Sequence, residues 1–436
     1  MRHNFLPYKL NHFRERGHFH FCCLNTTYLT YICCFKTTVM EYLFELSDNV
    51  MKLSKQDFRR YLFSRIPMDQ QLVIIKGARG TGKTTLLLQL MESLKVKHHE
   101  KLYISLDNIY FLENKLFHVA DRFLKQGGKY LFLDEIHRYP GWAIEIKNIY
   151  DHFHELQIIG TGSSALNIHK GEADLSRRAL MFNLNELSVR EFLALSSNEP
   201  TGIFSLSDIL DHHHEISSDI TRKIQPLRIF QNYLRTGAYP FLLEGPDFYH
   251  ERLRSGINTI IETDLPAFEN ISYHSIIQIK KLLFILSESV PFTPNISELG
   301  RKMGISRDIL LRYLYLLEKA ELLFQLRRET KGISYLSKPN KIYLHNPNIS
   351  FALSPERPDK GNLRETFILN QLSVFHEVTS TEKGDFMIDN QYILEVGGKK
   401  KNKDQIKDVP KSFIAADDIE TGIGNKIPLW LFGFLY

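Results

Sequence analysis

The run Gly77-Ala78-Arg79-Gly80-Thr81-Gly82-Lys83-Thr84-Thr85 places glycines, a lysine and hydroxyls at the spacing G-x-x-x-x-G-K-[ST]. Residues of these types in this order suit one chemistry. The glycines let the backbone curl until its N–H groups face a common anion. A helix that starts at the lysine adds the positive end of its dipole. Lys83 then reaches the β- and γ-phosphates of a nucleoside triphosphate, and the Thr84 hydroxyl is placed to ligate Mg²⁺. The expected ligand is ATP, the expected cofactor Mg²⁺, and Gly77 through Thr85 form the cradle.

A second acidic segment belongs to the same chemistry. Asp134-Glu135 follows the apolar run Tyr130-Leu-Phe-Leu133, 51 residues after Lys83. Asp134 is expected to hold the Mg²⁺ shell, and Glu135 to orient or deprotonate the attacking water. A third run, Leu156-Gln-Ile-Ile159, ends in Gly160-Thr161-Gly162-Ser163-Ser164. Ser163 is the chosen polar group beside the γ-phosphate, with Thr161 and Ser164 as alternatives. Arg177 and Arg178 follow. One of them can stabilise charge on the γ-phosphoryl group, in cis or across a subunit interface.

These residues need a scaffold. Leu72-Val-Ile-Ile75 is a short β-branched run of the kind buried in parallel sheets. Leu86, Leu87, Leu88, Leu90 and Met91 give the next segment an apolar helical face. Leu102–Leu106 reads as another strand, and Glu113–Lys125 as another helix. The first half is therefore expected to be an α/β domain, a parallel-sheet P-loop NTPase core over 40–195 that carries Walker A and Walker B segments.

At this point the sequence resembles the prokaryotic AAA-type ATPases that carry a C-terminal domain of unknown function. The resembling segments are Gly77–Thr85, Tyr130–Trp142, Thr161-Gly-Ser-Ser164 and Leu175-Ser-Arg-Arg178. Tyr233-Leu-Arg-Thr-Gly-Ala-Tyr-Pro240 is similar to the family's Tyr-Leu-x-x-Gly-Gly-x-Pro element, and Glu262-Thr-Asp-Leu-Pro266 to its Asp-containing helix. The resemblance covers roughly 40–436. It implies an additional-strand P-loop core with an Asp-Glu pair. The family's arginine follows a glycine; here Arg178 takes the arginine's place and Arg177 replaces the glycine, which favours Arg178 as the finger.

After Phe192 the pattern turns helical. Residues 196–290 read as a helical connector, with His212–His214 on a solvated loop or helix face. Residues 291–345 read as a winged helix-turn-helix: a helix at 295–303, a turn at Gly304, an N-cap at Ser306, a helix through Glu318, and wing strands at 322–327 and 341–344. Arg307, Arg312, Arg327, Arg328, Lys331 and Lys338 are candidates for phosphate contacts, so double-stranded DNA is the expected macromolecular partner. Residues 346–436 resemble a small α/β restriction-endonuclease-like domain with acids at Glu365, Asp385 and Glu395. The lysine of its Glu-x-Lys motif is missing, because Gly397 stands there. Lys399 lies two residues on, after a glycine pair that breaks the strand. A degenerate nuclease-like end is expected. The lysine-rich run 398–411 reads as a solvated basic loop or a phosphate-tracking rim.

Composition bounds these readings. The chain has 436 residues, 43% of them hydrophobic and 24% charged, which excludes a disordered or collagenous protein. Its four cysteines are Cys22, Cys23, Cys33 and Cys34, which excludes a disulfide-stapled scaffold for the rest. The net charge is +5, of which residues 1–39 carry +4. These 39 residues show no clear period and are expected to be an upstream extension outside the working protein; Met40 opens an ordinary amphipathic segment. No segment is persuasive as a membrane span, so a cytoplasmic protein is expected. The functional expectation is a Mg²⁺-dependent ATPase, with a homo-oligomer as one possible arrangement, coupled to a C-terminal module that contacts DNA. The alternatives are a nucleotide-gated DNA-binding or protein-interaction switch and an ATP-dependent nuclease.

Overall fold

Five runs form a parallel sheet; the first four in chain order are largely buried, as parallel strands require, and the last, at the sheet edge, is half exposed. They are β1 (Leu72–Lys76), β2 (Lys101–Ser105), β3 (Tyr130–Asp134), β4 (Gln157–Gly162) and β5 (Leu180–Asn183), in the order β2-β3-β4-β1-β5. The computed structural model describes residues 28–53, 57–162, 175, 177–197, 202–269, 271–288, 295–328, 339–354 and 358–436. Strand β4 lies between β1 and β3, with Ile75 opposite Thr161 and Phe132 opposite Ile159. The phosphate loop leaving β1 and the acids leaving β3 therefore flank the end of β4. Alternate residues of β1 serve different cores: Val73 and Ile75 pack with Leu86 and Leu90, whereas Leu72 and Ile74 pack with Leu131, Val119 and Phe123.

Helices α1 (Tyr28–Leu53), α2 (Lys83–Ser93), α3 (Leu116–Lys125) and α4 (Trp142–His152) accompany this sheet. Helix α1 runs through the boundary expected at Met40, so part of the segment read as aperiodic is helical. Met40 and Leu43 are buried, and Ser47 accepts the Tyr103 amide at 3.2 Å. A helix anchored by such a packed face propagates beyond it at little cost.

The second half is helical, as expected, through α5 (Val189–Ser197), α6 (Leu206–Thr221), α7 (Pro226–Thr236), α8 (Tyr249–Thr259) and α9 (Tyr273–Glu288). His212–His214 lie inside α6, with His212 and His214 on its exposed face, one of the two expected placements. His213 is buried, and its Nε2 is 2.9 Å from the Gly424 carbonyl. Two capped helices follow, α10 (Ile296–Met303) and α11 (Arg307–Lys319). The Asn295 side chain accepts from the Glu298 amide, Gly304 turns the chain with φ +69°, and Ser306 accepts from the Ile309 amide. Strands β6 (Leu323–Leu326) and β7 (Lys341–Leu344) pair antiparallel behind them. Helices α12 (Pro347–Leu353) and α13 (Lys360–Leu372) lead to a second sheet of β8 (Val378–Thr379), β9 (Phe386–Ile388), β10 (Tyr392–Gly397), β11 (Ser412–Ala416) and β12 (Lys426–Pro428). Its order is β12-β11-β10-β9-β8; β10 to β12 run parallel and β8 to β10 alternate.

The two halves share one core. Leu86, Leu90 and Met91 of α2 belong to the same apolar cluster as Trp430, Phe432, Phe434 and Tyr436. Ser188 Oγ and Arg190 Nε both donate to the Tyr436 backbone oxygen at 2.7 Å. A buried charge crosses the junction as well. Glu186, fully buried after β5, accepts from His345 Nδ1 at 2.8 Å and Asn346 Nδ2 at 2.9 Å. Burial opposes the Glu186 charge, but His345 and its hydrogen bond dominate and hold the carboxyl down to about 2. Burial likewise opposes the imidazolium, and Glu186 outweighs it, so His345 is raised above its usual 6.5.

The sign of the pH effect follows. Glu186 contributes fully above its ordinary 4.5 and loses its contribution only as pH falls toward about 2. His345 contributes fully below 6.5, and that stability is lost as pH rises through its raised value. Thermal melts from pH 6 to about pH 9 should show a falling Tm for the native chain and a flatter profile for His345→Gln. Identical slopes would contradict the ion pair.

Candidate functional site

Strand β1 delivers the phosphate loop to the start of α2. Gly82 is the N-cap of α2 at φ +89°, and Gly80 sits at φ +86°, both in the left-handed region that side chains avoid. At Gly80 space is short too, since a Cβ would stand 3.0 Å from the Phe241 ring. Lys83 is 5% exposed, and its Nζ donates to the carbonyls of Gly77 at 3.0 Å and Ala78 at 2.7 Å. Burial pulls its pKa down, while Glu135 and other acids oppose that shift. The ammonium spans its own loop and can exchange carbonyls for phosphate oxygens.

The end of β3 supplies the acids. Asp134, 3% exposed, collects three hydroxyls from three strands or helices. Its Oδ2 accepts from Thr84 at 2.7 Å and Tyr103 at 2.9 Å, and its Oδ1 accepts from Thr161. Burial and the adjacent Asp134 push the Tyr103 phenol up, so Tyr103 stays a neutral donor. Thr84 and Asp134 present a hydroxyl and a carboxylate oxygen side by side, a hard-oxygen donor set that fits Mg²⁺. Glu135 has φ +53°, a strained position for a residue with a side chain. Its carboxylate is 3.4 Å from His137 Nε2. Burial, then Arg138, lowers His137 to about 3, so His137 meets Glu135 as a neutral ring.

A cavity of about 570 Å³ opens over this loop, within the range of small-ligand sites. Ala78, Arg79, Gly80, Gly82, Lys83, Thr84, Thr85 and Glu135 line one wall, and Tyr239, Pro240 and Phe241 roof it. The rings of Tyr239 and Phe241 stack at 5.3 Å. The Tyr233–Pro240 element thus acquires a physical place as the lid of the phosphate loop. Gly77 and Thr81 complete the loop; Thr81 Oγ1 donates to the Ala78 carbonyl at 3.0 Å.

Of two further expected residues, one lies outside the described residues and the other is placed elsewhere. Ser163 lies outside the described residues, as does Ser164; Thr161 is the described polar residue at the end of β4. Arg178 pairs with Asp151 at 2.8 Å. Leu180 stands opposite Val73, so Arg178 precedes β5 at the sheet edge away from the phosphate loop. Within one chain it does not reach the site.

Sequence reasoning missed Arg60. It is 5% exposed, and its Nε lies 3.1 Å from both oxygens of the fully buried Glu191. Its other nitrogens donate to the carbonyls of Thr81, Asn185 and Glu186. No spacing rule links these positions, so the clamp carried no sequence signal. Glu321, from the turn after α11, also lines the cavity.

The C-terminal acids do converge. Lys341 Nζ lies 3.3 Å from Glu365 Oε2 and 3.2 Å from Asp385 Oδ1, and Tyr343 donates to Glu365 at 2.6 Å. Lys401, not Lys399, pairs with Glu395. Its stem crosses the room left by Gly397, where a Cβ would meet Lys401 Cγ at 2.7 Å. Two ammonium groups therefore pair with the three carboxylates. Among the described residues no group of three or more acids, histidines or cysteines is arranged to hold a metal ion. Nor is any described helix long and apolar enough to cross a membrane.

The loop, the acid pair and the inserted β4 have the arrangement of a P-loop nucleotide site. Residues 69–193 match the AAA domain family AAA_14, and residues 227–360 match a domain of unknown function, DUF8612. The chain is 27% identical over 407 residues to the uncharacterized protein MJ1637 of Methanocaldococcus jannaschii, covering 84% of this chain and 85% of that one. Solved structures with partial likeness include the Walker-type ATPase PABY2304 of Pyrococcus abyssi, with TM-score 0.41, 14% identity, and coverage of 68% of this chain and 95% of that one. AMPPCP-bound DnaA from Aquifex aeolicus gives TM-score 0.25 and 15% identity, covering 63% of this chain and 87% of that one. At these scores the structural likeness adds nothing to what the site itself shows.

Lys83→Ala should abolish ATP binding or weaken it by at least about 100-fold, the cost of removing a buried charge-assisted contact. Equilibrium titration with ATP and Mg²⁺ checks this, and near-native affinity would contradict the role of the lysine.

Proposed function

We propose that this chain hydrolyses ATP with Mg²⁺ and passes the resulting change to its C-terminal half. The observation that carries the reading is the Asp134 carboxylate, which gathers Thr84 of the phosphate loop, Tyr103 and Thr161 at one point beside Glu135. Thr84 and Asp134 would hold Mg²⁺, which when bound neutralises phosphate charge. Lys83 and the loop amides bind the phosphates, and Glu135 orients the water with neutral His137 behind it. Ser163 is proposed at the γ-phosphate and Thr161 as a fixed support of Asp134. Arg178 can serve the nucleotide only from a second copy of the chain, which would show as turnover rising steeply with protein concentration.

The route to the C-terminal half is short. The lid residue Tyr239 accepts from Asn346 Nδ2 at 2.9 Å, next to His345 and its Glu186 partner. Helices α10 and α11 with the β6–β7 hairpin support the winged-helix reading, and DNA is the proposed partner of the exposed face of α11. Arg312 of α11 and Arg328 after β6 are held in surface ion pairs with Glu269 and Glu382, and Arg327 in a part-buried pair with Glu318. The two surface pairs are worth roughly 1 kcal/mol or less, so phosphate can displace them. Lys331 and Lys338 lie outside the described residues. A nucleotide-gated switch with little turnover is the alternative, and an ATPase assay with and without duplex DNA separates the two.

Glu135→Gln should bind ATP as the native chain does and lose at least about 100-fold in turnover. Full turnover by the variant would refute the assignment. The carboxylate–lysine pairs predict no Mg²⁺-dependent plasmid cleavage by the C-terminal half. Cleavage that disappears in Asp385→Ala would establish a nuclease instead.

A further inference from the structure

Past Glu135 the chain makes a tight helical turn, Ile136–Arg138. That turn sends Arg138 to a second cavity of about 410 Å³, which it lines together with Arg79 of the phosphate loop and Glu135. Arg138 therefore stands beside the phosphate loop and Glu135, a place that Arg178 does not reach within one chain. Its Nη2 lies 3.4 Å from Asp264 Oδ1, a long contact for an ion pair.

Asp264 is unusual in three respects. It is 3% exposed, so its carboxylate has left water. Its Oδ2 has no hydrogen-bond partner among the described residues, an arrangement that buried polar atoms rarely tolerate without a reason. It closes a π-helical turn, Ile260–Asp264, a local widening common at functional positions. Arg138, Arg79, Glu135 and Lys83 all act on its charge, with burial opposing ionisation most strongly. The pair is incomplete: one long contact, one orphaned oxygen, and an arginine one-third exposed to a cavity beside the catalytic acid.

We propose that Arg138 is a cis γ-phosphate sensor and that Asp264 is its counter-ion in the nucleotide-free state. A nucleoside triphosphate presents a third phosphate to Arg138 and competes for it with Asp264; a diphosphate does not. Transfer of Arg138 from carboxylate to phosphate uncouples the turn after β3 from the π-helical turn after α8. The connector helices thereby register which nucleotide is bound. This rests on the ATP-site reading, and it needs differential binding of the two nucleotides, since a ligand shifts an equilibrium only by what it binds differently in the two states.

The test is calorimetric binding of AMPPNP and of ADP, each with Mg²⁺, to the full chain and to Arg138→Ala, Arg138→Lys and Asp264→Asn. Arg138→Ala should weaken AMPPNP at least about tenfold, equivalent to about 1.4 kcal/mol, with ADP within about twofold. Arg138→Lys should recover part of the loss. Asp264→Asn removes the competing charge and should tighten AMPPNP several-fold with ADP unchanged. A purely structural role would lower the melting temperature and leave the AMPPNP:ADP affinity ratio at the native value. An unchanged ratio in Arg138→Ala, or in Arg138→Lys should the alanine variant not fold, together with an unchanged ratio in Asp264→Asn overturns the sensor. A native chain that binds neither nucleotide overturns the ATP-site reading itself, which is a separate outcome.

Discussion

A loop built to hold phosphate must keep its shape when no phosphate is there. Its amides converge and repel, and its glycines give it little stiffness of their own. Here the guanidinium of Arg60 supplies the missing constraint. It grips the Thr81 carbonyl inside the loop and the carbonyls of Asn185 and Glu186 beyond β5, while Glu191 neutralises it from α5. A charge pair this deeply buried is weak evidence for stability. Its value lies in geometry, because four acceptors from three chain segments fix one planar group. The loop, the exit of β5 and helix α5 are therefore tied together.

That unit is continuous with the far end of the chain. The strand exit that Arg60 holds carries Glu186, and Glu186 binds His345 and Asn346 at the start of α12. The helix that Glu191 begins lies against the Tyr436 backbone oxygen through Ser188 and Arg190. The regions expected as separate domains share an apolar core, so a displacement at the phosphate loop meets packed side chains rather than a linker. Close-packed interiors transmit such strain because they have no free volume in which to absorb it.

Features with a local cause were legible in the sequence. The glycine loop, the apolar strands and the Asp-Glu pair are contiguous runs whose chemistry is contained in a few neighbours. The Asn295 and Ser306 caps and the Gly304 turn belong to the same class. Features made by tertiary proximity were not. Arg60, Tyr103 and Asp264 are single residues whose partners lie in other elements of the fold. Arg178 was chosen for its place in a motif, yet parallel strands start at the edge opposite the loop, and that topology carries it away. The histidines of α6 read as solvated because they are polar and consecutive; His212 and His214 are exposed, and His213 is covered by the turn before β12. The part of helix α1 before Met40 carries no period of its own because the packed face that anchors the helix, at Met40–Ser47, lies downstream of it.

The lysine beside Glu395 shows how one ion pair can depend on two positions of the chain. Its stem fills the volume that a side chain at 397 would need, so the glycine and the lysine are one solution written at two positions. The two sites are bound by epistasis. Any larger residue at 397 displaces Lys401, and a lysine placed at 397 fits only after the one at 401 has been shortened. Each change alone leaves Glu395 buried beside a disturbed or absent cation, and the pair together need not, which is the non-additivity expected of neighbours that share one space. Drift between the two arrangements must therefore cross a less stable intermediate, and related chains should fall into two discrete classes at these positions rather than a continuum.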